Sequence, residues 1–217
     1  EVWEARDDWS YGRALRDGYV GWVVSDFLAP GAPSPTHRVA ALRTILFSEP
    51  RLRAPAGAAL SLNALVRVEA QEGDYALVAG AGWVAGAHLA PIGTFEADPA
   101  AVAERFVGAP YLWGGRCSIG LDCSGLVQQA LYACGRGCRR DSDQQALMGE
   151  AVDRADLARG DLVFWAGHVA MMLDPARLIH ANAHHMAVTV EPLDAVVERR
   201  LAVGEGPPTG FRRLGAI

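Results

Sequence analysis

The sequence predicts an α+β domain preceded by small all-β modules, and three observations carry that reading. From residue 98 to Gly135 the apolar residues recur at helical spacing. From Gly160 onward they form short runs broken by turn residues. Before residue 92 the chain is a series of short, polar-interrupted β patterns with glycine turns and a repeated Gly-Trp-Val. These features place modules at residues 1–30 and 44–92, a linker at 31–43, and the α+β domain at 97–217.

The modules carry a partial repeat. Gly21-Trp-Val-Val-Ser-Asp-Phe-Leu-Ala-Pro30 and Gly82-Trp-Val-Ala-Gly-Ala-His-Leu-Ala-Pro91 share Gly-Trp-Val and Leu-Ala-Pro at identical internal spacing. Short strands, tight glycine turns and the Gly-Trp-Val strand resemble bacterial SH3-like barrels, so two such barrels are expected. The first has no counterpart of Thr44 to Leu65 and is expected to be incomplete in this sequence, with open edges that something must cover. Trp22 and Trp83 are expected in barrel cores or packed between domains. Pro30-Gly-Ala-Pro-Ser-Pro-Thr-His37 reads as a linker, because its prolines oppose both helix and central strand.

Asp98 has the character of an N-cap and Pro99 that of a first helical residue, with Val102 and Phe106 one turn apart. The helix leads into Tyr111-Leu-Trp-Gly-Gly-Arg-Cys-Ser-Ile-Gly-Leu-Asp-Cys-Ser-Gly-Leu-Val127, a loop built for chemistry rather than packing. Asp122 is expected to cap a helix whose apolar face is Leu126, Val127, Ala130, Leu131 and Cys134, ending at Gly135. Cys123 then lies in the first turn, where the helix dipole and unpaired N–H groups favour its thiolate. Asp141 or Ser142 is expected to cap a further helix from Gln144 to Met148.

Gly160-Asp-Leu-Val-Phe-Trp reads as a buried strand, Ala166-Gly167 as a turn, His168 to Leu173 as the returning strand, and Leu178-Ile-His180-Ala as a third. Alternation places His168 with Ala170 and Met172, and His180 with Leu178, so neighbouring strands can present both imidazoles to one pocket. A cysteine, then a histidine, then a polar residue on the next strand is the order of a papain-like thiol hydrolase. Val188-Thr-Val and Gly210-Phe-Arg-Arg-Leu read as further strands of the same antiparallel sheet.

Taken together, Tyr-Leu-Trp-Gly-Gly, Asp-Cys-Ser-Gly-Leu-Val, Gly-Asp-Leu-Val-Phe-Trp, Gly-His-Val and Leu-Ile-His-Ala resemble the NlpC/p60 cysteine peptidases of bacterial cell-wall metabolism over residues 97–217. The resemblance implies Cys123 as nucleophile, His168 as general base, His180 as the residue orienting His168, and Tyr111 as the tyrosine that helps the Cys123 N–H hold the oxyanion. Asp141 and Ser142 match an Asp-Ser pair used by members that act on peptides with a free amino terminus. Tyr19 matches a tyrosine projected over the cleft from the first barrel. With Asp122 and Ser124, which flank the nucleophile, these form the expected substrate-binding group.

The implied activity is hydrolysis of the γ-D-glutamyl-diamino acid bond in stem peptides such as L-Ala-γ-D-Glu-diaminopimelate, in peptide recycling and hence in the cytoplasm, with no cofactor and no metal. The alternatives are a secreted or periplasmic endopeptidase or amidase acting on intact peptidoglycan, if a signal peptide has been removed, and a non-catalytic cell-wall-binding protein.

Among 217 residues, 51% are hydrophobic and 21% charged, as in an ordinary globular protein. There is no apolar run long enough to cross a membrane as a helix. A net charge of −5 argues against nucleic acid or another polyanion as the main partner. The Cys-x5-Cys and Cys-x3-Cys spacings of Cys117, Cys123, Cys134 and Cys138 match structural zinc sites poorly. Cys134, on the apolar helix face, is expected to be a buried thiol, and Cys123 must stay free in a working enzyme. His184 and His185 are expected in a loop, His37 and His88 in structural roles.

Overall fold

A computed structural model describes residues 1–31 and 33–215. Ala32, inside the expected linker, and the last two residues of the expected 97–217 domain lie outside the described residues. The first module is an antiparallel meander of β1 (Val2–Arg6), β2 (Trp9–Arg13) and β3 (Val20–Val24). Its aromatic residues do not make a core. Trp22 is 44% exposed, and it lies beside Tyr11, with ring centroids 5.1 Å apart, and under the Arg6 guanidinium. The expectation of a buried Trp22 therefore fails, because a single three-stranded sheet has no second layer to cover it.

The second module comprises β4 (His37–Val39), β5 (Arg43–Phe47), β6 (Ala56–Ser61), β7 (Leu65–Val66), β8 (Val68–Glu72), β9 (Tyr75–Val78), β10 (Gly82–Ala85) and β11 (Leu89–Pro91). A five-stranded sheet, β6-β5-β10-β9-β8, and a three-stranded sheet, β11-β4-β7, enclose Leu46, Val66, Ala76, Val78 and Val84. The expected linker at 31–43 is too long at its C-terminal end, since β4 lies inside it. His37 pairs with Pro91 and with Val66, and Arg38, which looks like a solvated linker residue, is buried with its Nε donating to the Thr94 carbonyl at 3.0 Å. The sequence repeat is a backbone repeat. In both copies a 3-10 turn follows the Gly-Trp-Val strand, Ser25–Phe27 in one and Gly86–His88 in the other. The preceding residues, Val24 and Ala85, share φ −60° with ψ of 126° and 121°.

The third unit contains α1 (Pro99–Glu104), β12 (Arg116–Cys117), β13 (Gly120–Leu121), α2 (Cys123–Ala133), α3 (Ser142–Gln145), β14 (Glu150–Ala151), β15 (Leu162–Trp165), β16 (His168–Met172), β17 (Arg177–Asn182), β18 (Ala187–Pro192), α4 (Leu193–Ala202) and β19 (Gly210–Arg213). Asp98 caps α1 by accepting from the Ala100 N–H at 2.9 Å, and Phe106 is fully buried just past the end of that helix. The six-stranded sheet runs β14-β19-β15-β16-β17-β18. Strand alternation divides its side chains between two cores. Leu162, Phe164, Val169, Met171, Ile179 and Ala181 pack toward α2, whereas Val163, Trp165, Ala170, Met172 and Leu178 pack with Leu193 and Val196 of α4. Helix α4 interrupts the expected run of strands. Its signal is present in the spacing of Leu193, Val196 and Val197, but only Leu193 and Val196 are buried.

All three units meet on the outside of α2. The buried Asp17 of the first module takes the Arg116 guanidinium at 2.7 Å and the Gln128 amide at 3.3 Å. Arg16 lies 4.1 Å over the Tyr132 ring and donates to the carbonyl of Asn63 in the second module, while the Asn63 amide donates to the carbonyl of Gln129 at 2.9 Å.

Helix α2 is buried along its whole length, and its glycine is there for space. A Cβ on Gly125 would run into the Gly115 carbonyl oxygen and come within 3.0 Å of Asp122 Oδ1. Helix propensity alone favours alanine by about 1 kcal/mol. Gly125→Ala is nevertheless expected to lower stability by about 1–3 kcal/mol through overpacking, read as a fall in the urea midpoint. A rise in the midpoint would show that the close approach is not a constraint.

Candidate active site

Cys123 is the first residue of α2, and the turn before it is held by Asp122. One carboxylate oxygen of Asp122 accepts the Gly125 N–H at 2.8 Å and the Ser124 hydroxyl at 3.2 Å, and the other accepts the Gly114 N–H at 2.9 Å. Both oxygens also receive the Arg140 guanidinium, at 3.0 and 2.6 Å, and Arg140 donates to Ser124 Oγ at 2.9 Å as well. Asp122 is thus the expected N-cap, but as a substrate-binding group it is largely committed already. Its oxygens knit the Gly114 loop, α2 and Arg140 into one piece. Nothing in the sequence marks Arg140, the last of the basic run from Arg136, as a buried residue.

The thiol differs from expectation. Burial pushes the Cys123 thiol above its ordinary range, while the N–H groups of Val169, Ser124 and Cys123 itself pull it back only in part. Burial therefore works against the thiolate that the helix N-terminus favours, because desolvation penalises the charged form. Tyr111 lies beside it, its phenol held protonated by burial and by the nearby thiol.

The two imidazoles come together as the strand pattern predicts. In the β16–β17 register Met172 faces Leu178 and Met171 faces Ile179. Continued along the strands, this sets His168 diagonally across from His180 on the same face. His168 Nε2 and His180 Nδ1 are 2.8 Å apart. Beyond them lies a residue the sequence does not advertise, Glu191. It pairs with Leu178 across the β17–β18 ladder and so shares a face with His180. Glu191 Oε1 is 3.3 Å from His180 Nε2, and its carboxylate is gripped by Arg199 of α4 at 2.6 and 3.0 Å. Burial works against its charge, but the bonds from His180 and Arg199 win and bring it to about 2.

These contacts fix the tautomers. Burial drives His168 well below the usual imidazole range, reinforced by His180, Arg200 and Arg199, and burial lowers His180 too, so both rings are neutral at pH 7. An ionised Glu191 can only accept. His180 therefore carries its proton on Nε2 and accepts at Nδ1 from the Nε2–H of His168, which leaves a lone pair on His168 Nδ1. The backbone N–H of Val169, the next residue in the chain, pulls the Cys123 thiol down. A thiol and an imidazole with a free lone pair are the minimum set for nucleophilic attack on an acyl carbon, and here they line two adjoining hollows.

The site opens into two hollows that meet at Tyr111 and Gly167. A cleft of about 300 Å³ is lined by Cys123, Ser124, Asp141, Ser142, Arg140 and Tyr19. A cavity of about 670 Å³ takes in His168, His180, His184, Arg199 and Arg200. Asp141 occupies the N-cap position of α3 but makes no capping bond, so its carboxylate is free to face the cleft, where it raises the Tyr19 phenol. Tyr19 reaches the cleft from a turn at Gly18 (φ +77°), with its N–H tied to Asp17 at 3.0 Å. The expected site residues Cys123, Tyr111, Asp122, Ser124, Asp141, Ser142 and Tyr19 thus share one cleft, and His168 and His180 line the adjoining cavity. His88 bonds Thr44 in the second module, His185 bonds Asn182 and sets its Nδ1 3.3 Å from Glu191 Oε1, and His184 lines the larger cavity.

Comparison with known proteins agrees with this geometry. Residues 108–203, which include Cys123, His168 and His180, match the NlpC/P60 family. They form an NlpC/P60 domain. A γ-D-glutamyl-L-lysine dipeptidyl-peptidase of Bacillus subtilis is 27% identical over 205 residues, covering 85% of this chain and 67% of that protein. A protein of the same name from Bacillus cereus is 36% identical over 99 residues, 42% of this chain, and the chain spans only 30% of its length. A crystal structure of an NlpC/P60 family protein from Bacillus cereus superposes with a TM-score of 0.79 over 98% of this chain and 78% of that one, at 24% identity. The likeness of fold extends from the NlpC/P60 domain through both β modules.

The Asp122–Arg140 pair generates a stability prediction. Arg140→Met leaves a buried carboxylate without its cation, which costs about 3–5 kcal/mol. A urea titration that finds less than about 1 kcal/mol would show that the pair does not organise the turn before Cys123.

Proposed function

We propose that the chain is a cysteine peptidase that cleaves the γ-D-glutamyl-diamino acid bond of peptidoglycan stem peptides bearing a free N-terminal L-Ala. The observation that carries the reading is the joint placement of Cys123, Tyr19 and Asp141 in one cleft, with His168 in the cavity that adjoins it at Tyr111 and Gly167. The names of the two Bacillus relatives support the bond type.

In this mechanism the Cys123 proton passes to His168 Nδ1 as Sγ attacks the γ-glutamyl carbonyl carbon. The oxyanion is received by the Cys123 N–H and the Tyr111 hydroxyl. Collapse breaks the C–N bond, and His168 returns the proton to the departing α-amine. Water, with His168 as base, then hydrolyses the thioester. His180 orients His168 and does not exchange a proton with substrate. Asp141 accepts the ammonium of L-Ala, a charge-assisted bond whose strength depends on the limited water in the cleft, while Ser142 and Ser124 line the same wall. Tyr19 closes the end where a glycan-linked peptide would continue.

This reading also takes the two β modules as SH3-like barrels. Support comes from the repeated Gly-Trp-Val strand with its 3-10 turn, and from the paired sheets of the second module. A first module that reaches the cleft through Tyr19 is part of the substrate site rather than an anchor. Small released peptides are then the substrates, which favours recycling and the cytoplasm.

The test compares L-Ala-γ-D-Glu-L-Lys with its N-acetylated form. Wild type should strongly prefer the free amine, and Asp141→Asn and Tyr19→Ala should lose most of that preference. Cys123→Ala should abolish hydrolysis, and His168→Ala should cost a factor of about 10² to 10⁴. Equal cleavage of both substrates by wild type would favour an endopeptidase acting on intact peptidoglycan. Activity in Cys123→Ala would reject the thiol mechanism.

A further inference from the structure

The larger cavity runs past the histidines to the C-terminal end of α4, and its far wall has no part in the steps above. Two basic residues stand there, and they differ. Arg199 is taken bidentately by Glu191. Arg200 is 17% exposed and lies 5.4 Å over the Trp165 ring, next to the His168 ring, with its Nε buried and unpartnered. Its Nη1 meets Glu205 at 3.1 Å, and Glu205 is 53% exposed. The end of the helix holds Glu205 in place: Gly204 turns the chain at φ +80°, and the Glu205 N–H donates to the Arg200 carbonyl at 3.0 Å. Beside the base the cavity therefore offers one cation and one anion, paired with each other across the hollow's edge.

We infer that Arg200 and Glu205 form the binding site for the leaving group, a diamino acid residue whose carboxylate goes to Arg200 and whose side-chain ammonium goes to Glu205. The inference rests on the proposed peptidase reading and extends it to the other side of the scissile bond. Three arguments carry it. The base must protonate the departing amine, so the leaving group has to lie on the His168 side of Tyr111 and Gly167, and that side is this cavity. A volume of about 670 Å³ holds an amino acid residue comfortably. A ligand carrying both charges replaces the Arg200–Glu205 contact with two of its own and also supplies an acceptor near the orphaned Nε, so neither charge is stranded.

The experiment uses the full chain and three substrates with the same acyl part: L-Ala-γ-D-Glu joined to L-Lys, to L-Lys amide, and to p-nitroaniline, whose leaving group is uncharged. In wild type, amidating the lysine carboxylate should raise KM about tenfold, the size of one charge-assisted bond. Arg200→Met should lower kcat/KM for the lysine peptide about tenfold or more relative to the anilide, mostly through KM, and should erase the difference between lysine and lysine amide. Glu205→Gln should weaken both lysine substrates relative to the anilide. If Arg200→Met does not fold, the amide comparison in wild type and Glu205→Gln decide. Equal losses on the lysine peptide and the anilide would overturn the inference, since the pair would then act only through His168. If wild type cuts none of the three, the proposed function fails and this inference falls with it.

Discussion

The site hangs on the buried ion pair between Asp122 and Arg140. Both side chains are nearly inaccessible, and such pairs contribute little net stability because desolvation offsets their attraction. What the pair does is positional. Asp122 fixes the N-terminus of α2 and the Gly114 turn, Arg140 reaches Ser124 and the Gly115 carbonyl, and the residue after Arg140 is Asp141. One interaction therefore sets the thiol and the acidic wall of its cleft in a common frame.

A second line of polar contacts approaches from the other side of the sheet. Arg199 holds Glu191, Glu191 receives His180, and His180 receives His168. Each partner removes one choice of protonation from the next, so burial, which keeps both rings neutral, leaves His168 with a lone pair that can accept a proton. The first module adds a constraint from above. Asp17 docks on Arg116 and Gln128, and two residues later Tyr19 overhangs the cleft. Domain docking and the placement of Tyr19 over the cleft are thus coupled through a single short turn.

Much of this was legible in the chain. Asp122 before an apolar helix, the alternation around His168 and His180, and the duplicated Gly-Trp-Val segment all report local periodicity, and the structure realises each of them. What was not legible depends on long-range burial. Arg38 and Arg140 are charged residues in polar contexts, and only the fold places them inside. Glu191 ends an ordinary alternating strand, and its meaning comes from the β17–β18 register and from α4. The burial that works against the Cys123 thiolate is likewise a quantity that no spacing in the sequence encodes.

The central claim is that the Glu191–His180–His168 chain leaves His168, the proposed base, its lone pair on Nδ1. Nitrogen-15 NMR of the imidazole rings at pH 7 tests it most directly. Both rings should be neutral, with the His168 proton on Nε2 and in contact with His180 Nδ1, and that state should persist as the pH falls through 6.5, where an ordinary histidine would charge. A His168 proton on Nδ1, or an imidazolium at pH 7, would contradict the account.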